Sequence, residues 1–125
     1  MTDIVTVTFA ADTQNVALAR TVAAAMAARA DLPLDQLEDV RLAVDEAVTE
    51  VIASAVDGAT VTCAFDYDDS VLYVTVQAPT TATEPPSTSS FGWTVLRALV
   101  DSASADVMDG VLSIRLQVSS DLVDV

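Results

Sequence analysis

Histidine and lysine are both missing from this 125-residue sequence, and cysteine occurs once. Without histidine there is no Ser-His-Asp or Cys-His arrangement for nucleophilic catalysis. One cysteine and no histidine exclude a zinc site. The single Cys63 also excludes an internal disulfide, which fits a reducing cytosol, and it reads as a small apolar core residue. Positive charge is nearly missing too: five arginines stand against nineteen Asp and Glu, a net charge of −14. Such a chain is repelled by DNA, RNA and anionic lipid, so neither nucleic acid nor membrane is an expected partner. A basic protein surface suits it better. The opening MTDIVTVTF has no basic n-region and no apolar h-region, so no signal peptide is expected. No apolar run approaches membrane-spanning length, and a cytoplasmic location is the expectation.

What is present is a chain about half apolar, rich in Ala and Val. Its length predicts one domain, taken as residues 1–118, with 119–125 as a flexible tail. Alternation over Ile4 to Phe9 predicts a half-buried strand, with Thr6 and Thr8 outward. Asp12 or Thr13 caps a helix running to about Ala30, with Val16 or Leu18, Val22 and Met26 on its packing face. Asp31, Leu32 and Pro33 break it. Ala59 to Phe65 and Val71 to Gln77 predict a hairpin whose turn is Asp66 to Ser70. The Asp cluster there reads as a hairpin tip, since a calcium loop needs more ligands. Ala78 to Ser90, rich in Pro, Thr and Ser, predicts a mobile surface loop. Ser89 or Ser90 caps a helix from Phe91 to about Val100, and strands follow over Ser104–Met108 and Val111–Val118, joined by Asp109-Gly110. The fold class expected is α+β: a two-layer sandwich with a mixed, mostly antiparallel sheet and helices on one face.

The stretch Asp35 to Val56 organises the rest. Asp35 and Glu38 have capping-box spacing. Leu37, Val40, Val44, Ala47 or Val48, Val51 and Ala55 form an apolar stripe. On the polar side Glu46 and Glu50 are neighbours at i, i+4. Two carboxylates one turn apart repel, so water, a cation or a basic partner must tolerate them. Arg41 is placed to pair with Asp45 at i, i+4.

RLAVDEAVTEVIASA resembles the first conserved box of the GHKL (histidine-kinase-like) ATPase superfamily, in its RsbW-type anti-sigma branch. TFAADTQNVALAR resembles that family's first strand and first helix, and FGWTVL falls where its last glycine box opens a helix. The runs RLAVDE and FGW are closest to actinobacterial members. The resemblance implies a Bergerat-like fold, and it implies roles for particular residues. Glu46 matches the acid that positions the attacking group. Glu50 stands where the family has the magnesium-binding Asn. Gln77-Ala78-Pro79-Thr80-Thr81 replaces Asp-x-Gly-x-Gly, and only Gly92 remains of the phosphate-cradling glycines. Glu46, Glu50 and Gly92 are therefore expected to be vestiges of a degenerate nucleotide site, with no intact catalytic residue, no metal and no cofactor.

The function implied is that of an anti-sigma factor sequestering an alternative sigma factor, without ATP-dependent kinase activity. An active serine kinase acting on an anti-anti-sigma antagonist, using ATP and Mg2+, is the alternative, and an orphan interaction module is a third. Gln14, Asn15 and Arg20 match the family's partner-contacting positions at the start of the first helix. Arg20 has Val16 and Ala24 as its helical neighbours, so no carboxylate on its own helix satisfies it. Trp93 reads as a residue filling space that a nucleotide vacated. A homodimer is the assembly implied.

Overall fold

Strand alternation, two helix-breaking segments and three tight turns decide the architecture. The computed structural model describes residues 4–121. In chain order these form β1 (Val5–Ala10), a short 3-10 turn (Thr13–Asn15), α1 (Val16–Arg29), α2 (Leu34–Ala53), β2 (Thr60–Asp68), β3 (Val71–Pro79), α3 (Phe91–Leu99), β4 (Ser102–Met108) and β5 (Val111–Ser119). The sheet order is β1-β2-β3-β5-β4. Every pairing in it is antiparallel, so the mixed character expected of the sheet is absent among the described strands.

One face of the sheet is apolar and lies under the helices. Val61, Cys63 and Phe65 of β2, Leu72, Val74 and Val76 of β3, and Leu112, Ile114 and Leu116 of β5 are all buried there. α2 is the central helix, in contact with both α1 and α3. Its Val40, Val44, Ala47, Val48 and Val51 close the core from above, as the stripe requires. α1 is lined by alanine: Ala19, Ala23 and Ala27 are fully buried, which lets it approach α2 closely. Val16 takes the core position at its start, and Leu18, the other residue considered there, is 55% exposed. The opposite sheet face carries Thr6, Thr8, Thr75, Gln77, Arg115 and Gln117 and no helix.

Several boundaries differ from expectation for identifiable reasons. Asp35 does not cap α2: Pro33 is the N-cap, no side chain caps the helix, and Asp35 sits in its first turn. α2 stops at Ala53 rather than running to Val56, because Ala55 bridges to Thr80 and Val56 N–H donates to Pro79 O at 3.1 Å. Asp57-Gly58 thus lies in the next turn, where Gly58 adopts φ 76°. The β2–β3 turn narrows to Asp69-Ser70, both at positive φ, and Asp109-Gly110 repeats that geometry between β4 and β5. β4 begins at Ser102, two residues earlier than its sequence suggests, since Ser102 and Ala103 pair with Gln117 and Leu116. α1 ends in a Schellman motif: Leu32 N–H reaches Ala27 O and Asp31 N–H reaches Ala28 O, each at 3.1 Å, with Asp31 at φ 59° where glycine is usual.

The flexible tail was expected from Ser119, but the chain is held through Asp121. Ser119 N–H donates to Asp101 Oδ2 at 2.6 Å, Ser120 Oγ donates to Asp31 O at 2.7 Å, and Asp121 N–H donates to Gln36 Oε1 at 2.8 Å. The rest of that tail lies outside the described residues. Likewise the surface loop begins later than Ala78. Ala78 and Thr80 are buried, and Thr80 Oγ1 donates to Ser54 at 2.9 Å.

Candidate functional site

The site is built where the first turn of α3 crosses the second half of α2. Helical spacing puts Glu46 and Glu50 on the α3 side of α2. Ser90 caps α3, its Oγ accepting the Trp93 N–H at 3.2 Å. That cap fixes Gly92 directly against the two carboxylates: a Cβ there would overlap Glu50 Oε1 and Glu46 Oε2. The three residues expected to be vestiges of one site are thus brought together. Trp93 is 4% exposed and fills the core beneath, whereas its neighbour Phe91 is 83% exposed.

Beside this contact runs a shallow groove of about 220 Å³ lined by Glu50, Ala53, Ser54, Ala82, Glu84, Pro86 and Leu112. No basic side chain lines it, and two carboxylates do. The floor is pinned, because the Thr80 hydroxyl is engaged with Ser54 and accepts the Ala82 N–H at 3.0 Å. Burial, then the charge of Glu50, then that of Asp45 push the Glu46 carboxyl above the usual carboxylate range. No group of three or more Cys, Asp or Glu side chains among the described residues is arranged to hold a metal ion.

On the other flank of α2, Arg20 of α1 pairs with Asp45, Nη1 to Oδ2, at 2.5 Å. Arg20 therefore finds its carboxylate across the helix interface. This corrects the expected Arg41–Asp45 pair: Arg41 instead bonds Glu38, at 2.9 Å. Both members of the Arg20 pair remain about one-third exposed, so the pair sits on the surface seam between α1 and α2. Gln14 is exposed and Asn15 partly so, but Asn15 spends its amide on Ala10 O at 2.9 Å. Asn15 thus tethers the end of β1 to the start of α1. Gln14 and Arg20 lie along the entry and first turns of α1, whereas Glu46 and Glu50 face α3, so the two groups occupy different flanks of the layer. Sequence reasoning missed Asp45 as the partner of Arg20 and Glu84 as a second acid in the groove. An acid–acid dipeptide at Asp45-Glu46 was the available signal, since adjacent helical residues point to different flanks.

Residues 9–118 match the family described as histidine kinase-like ATPase domain. Two curated relatives are each 38% identical to the chain over 92 residues, 74% of this chain and 55% of the relative. Both are named anti-sigma-F factor RsbW, from Mycobacterium tuberculosis strains CDC 1551/Oshkosh and H37Rv. The chain spans about half the length of these relatives. The RsbW-type resemblance drawn from RLAVDEAVTEVIASA and FGWTVL agrees with them.

Proposed function

The chain belongs to the histidine kinase-like ATPase domain family, and from that membership we propose that it acts as an anti-sigma factor, a binding protein that sequesters an alternative sigma factor without using nucleotide. The observation that carries the first half is the 38% identity to two proteins named as anti-sigma-F factors. The second half is supported by the groove beside α3. A nucleotide triphosphate does not suit its donor set: phosphates would meet Glu50 and Glu84, no basic side chain lines the groove to neutralise them, and the seat over Gly92 is occupied by carboxylates. Glu46 and Glu50 are then structural remnants rather than catalytic groups.

The surface that meets the partner is the α1–α2 seam, with Gln14 and Arg20 at its start. Asp45 holds Arg20 by one nitrogen, which leaves the rest of the guanidinium fork for a partner carboxylate or carbonyl. The large negative charge favours a partner with basic surface. The working form is a homodimer in the cytoplasm, its second copy covering the helix-free sheet face or a free edge at β1 or β4. An anti-anti-sigma antagonist would compete for the same seam.

Calorimetric titration against the alternative sigma factors of the source organism tests the reading. One of them binds, and ATP with magnesium leaves that binding unchanged. Nucleotide binding near micromolar, about −8 kcal/mol, would overturn the nucleotide-independent half. Absence of binding to every sigma factor would overturn the other half. Light scattering that returns a monomer mass at high micromolar concentration would rule out the homodimer.

A further inference from the structure

The outer edge of β1 is uncharged on a strongly acidic chain. Of the nineteen Asp and Glu residues, Asp12 alone lies between Ile4 and Ala30, a stretch that holds two of the five arginines. β1 ends the sheet and pairs only with β2 among the described residues. Ala11 N–H donates to Ala59 O at 3.0 Å, and antiparallel ladders alternate, so the odd residues of β1 bond β2. The N–H and C=O groups of Thr6 and Thr8 therefore point to the open side. Ala10 O points the same way but is taken by the Asn15 amide at 2.9 Å, which closes the edge beyond Phe9. Natural edges are guarded by charge, proline or a bulge. The other open edge, β4, holds Asp106 and is flanked by Asp101 and Asp109. β1 pairs with β2 in unbroken register and has none of these guards. Apolar side chains are also left open beside it. Val5 and Val7 are half-buried on the helix side. Leu18 and Val22 follow Asn15 by three and then four more residues, so they share the flank of α1 that Asn15 turns towards β1. Leu18 is largely exposed and Val22 half-buried.

We propose that the open edge of β1 receives β1 of a second copy, antiparallel across a two-fold axis at Val7, so that two sheets join into one. This inference rests on the homodimer proposed above and selects its surface. Within Val5–Phe9 one register uses every free backbone group. Thr6 bonds Thr8 of the second copy, Thr8 bonds its Thr6, and Val7 faces Val7. The same register sets threonine against threonine on the outer face and Val5 against Phe9 on the helix side, pairs that stabilise a sheet. A slip by one residue would set polar against apolar and turn the bonding groups away. The contact is isologous, so one surface serves both copies. It brings Val5, Val7, Leu18 and Val22 of both copies together on the helix side. Two chains of like charge repel over most of their surface, and this edge lets them meet without opposing carboxylates.

Disulfide trapping tests the register. Val7 lies opposite Cys63 across the β1–β2 ladder, so each cysteine variant also carries Cys63→Ala to prevent a bond within the chain. Val7→Cys sits on the axis in a non-hydrogen-bonded pair, where Cα atoms approach to about 4.5 Å, within disulfide reach. Under oxidised glutathione it should link into a covalent dimer. Val5→Cys faces Phe9 of the second copy and should stay unlinked. Light scattering gives a second readout. Wild type should show a dimer mass at high micromolar concentration. Thr8→Pro removes an outward N–H but no bond to β2, and should show a monomer mass with an unchanged circular dichroism spectrum. If Thr8→Pro unfolds, Thr6→Asp/Thr8→Asp is read in the same way, since it sets carboxylates against one another across the axis. A dimer mass in the folded edge variant, no linkage of Val7→Cys, or linkage of Val5→Cys as fast as that of Val7→Cys would each overturn the edge contact while the homodimer stands. A monomeric wild type would overturn both. Neither readout needs a sigma factor.

Discussion

Glu46 carries a charge that its surroundings disfavour. Burial, Glu50 and Asp45 all raise its pKa, so the folded protein holds that proton more tightly than the unfolded chain. By linkage its ionisation costs stability at neutral pH, and the cost is relieved as pH falls through the raised pKa and is gone below the unfolded value near 4.5. Glu46→Gln should therefore unfold at higher urea than wild type at pH 7, with the gap closing towards pH 4. A gap that is constant with pH, or reversed in sign, would contradict the assignment. The ion pair on the other flank makes a second residue-scale prediction. If the chain acts as proposed, Arg20→Ala should weaken binding of the sigma factor by about 2 kcal/mol and leave the fold intact. Asp45→Asn, which keeps Arg20 but releases it, should weaken binding by less. Arg29→Ala, whose guanidinium stacks 5.6 Å from the Tyr67 ring near the β2–β3 turn, should bind as wild type does. Helical spacing made Glu46 and Glu50 legible as a pair, whereas it was the family resemblance that joined Gly92 to them, since spacing within one helix says nothing of which other helix packs on it. The Arg20–Asp45 pair was not legible, because local spacing cannot reveal a contact between residues 25 positions apart. That long-range pair also explains the misread Arg41: with Asp45 taken, Glu38 at i−3 is the nearer carboxylate.

Turns, rather than helices, hold the most correctable strain among the elements. Both hairpin loops are two residues long with positive φ throughout, the geometry that suits the right-handed twist of the strands. Asp109-Gly110 meets it with glycine second, whereas Ser70 adopts φ 62° without that freedom. Ser70→Gly should raise unfolding stability by about 0.5–1 kcal/mol, read as a higher denaturation midpoint with an unchanged slope. No gain would mean that the unfolded-state entropy of glycine cancels the relief of strain. Period and turn chemistry made most elements readable in advance: the stripe of α2, the alternation of β1, β2, β3 and β5, and the Asp-Gly turns. Their ends were less readable because tertiary partners set them. Ala55 leaves the helix to bridge Thr80, Ser102 joins β4 through Gln117, and Ser120 and Asp121 are tied down by Asp31 and Gln36. None of these partners is close in sequence. The segment after Ala78 was read as a loop on composition, which says nothing of the Thr80 hydroxyl finding Ser54.

At the scale of the whole molecule the net charge of −14 is the dominant fact. Among the described residues, ion pairs relieve it locally, Arg20, Arg41 and Arg115 each being bound to a carboxylate. Most acidic side chains therefore repel one another across a small surface, and this destabilises the compact state more than the expanded one. Salt screens such repulsion, since the Debye length falls from about 30 Å at 0.01 M to about 10 Å at 0.1 M. The same field that strains the fold would attract the basic partner proposed above, and salt would weaken that attraction too. The two effects must then run in opposite directions as sodium chloride is raised. The thermal midpoint of the free protein should rise by several degrees between 10 and 300 mM, roughly the shift expected for 1–2 kcal/mol. Over the same range the association rate with the proposed sigma-factor partner should fall by about tenfold, while the dissociation rate changes little. Differential scanning fluorimetry and stopped-flow binding give the two curves. A midpoint that falls with salt would show that the surviving ion pairs outweigh the repulsion. An association rate indifferent to salt would show that the partner meets this protein through apolar surface, and the argument for a basic partner would fail.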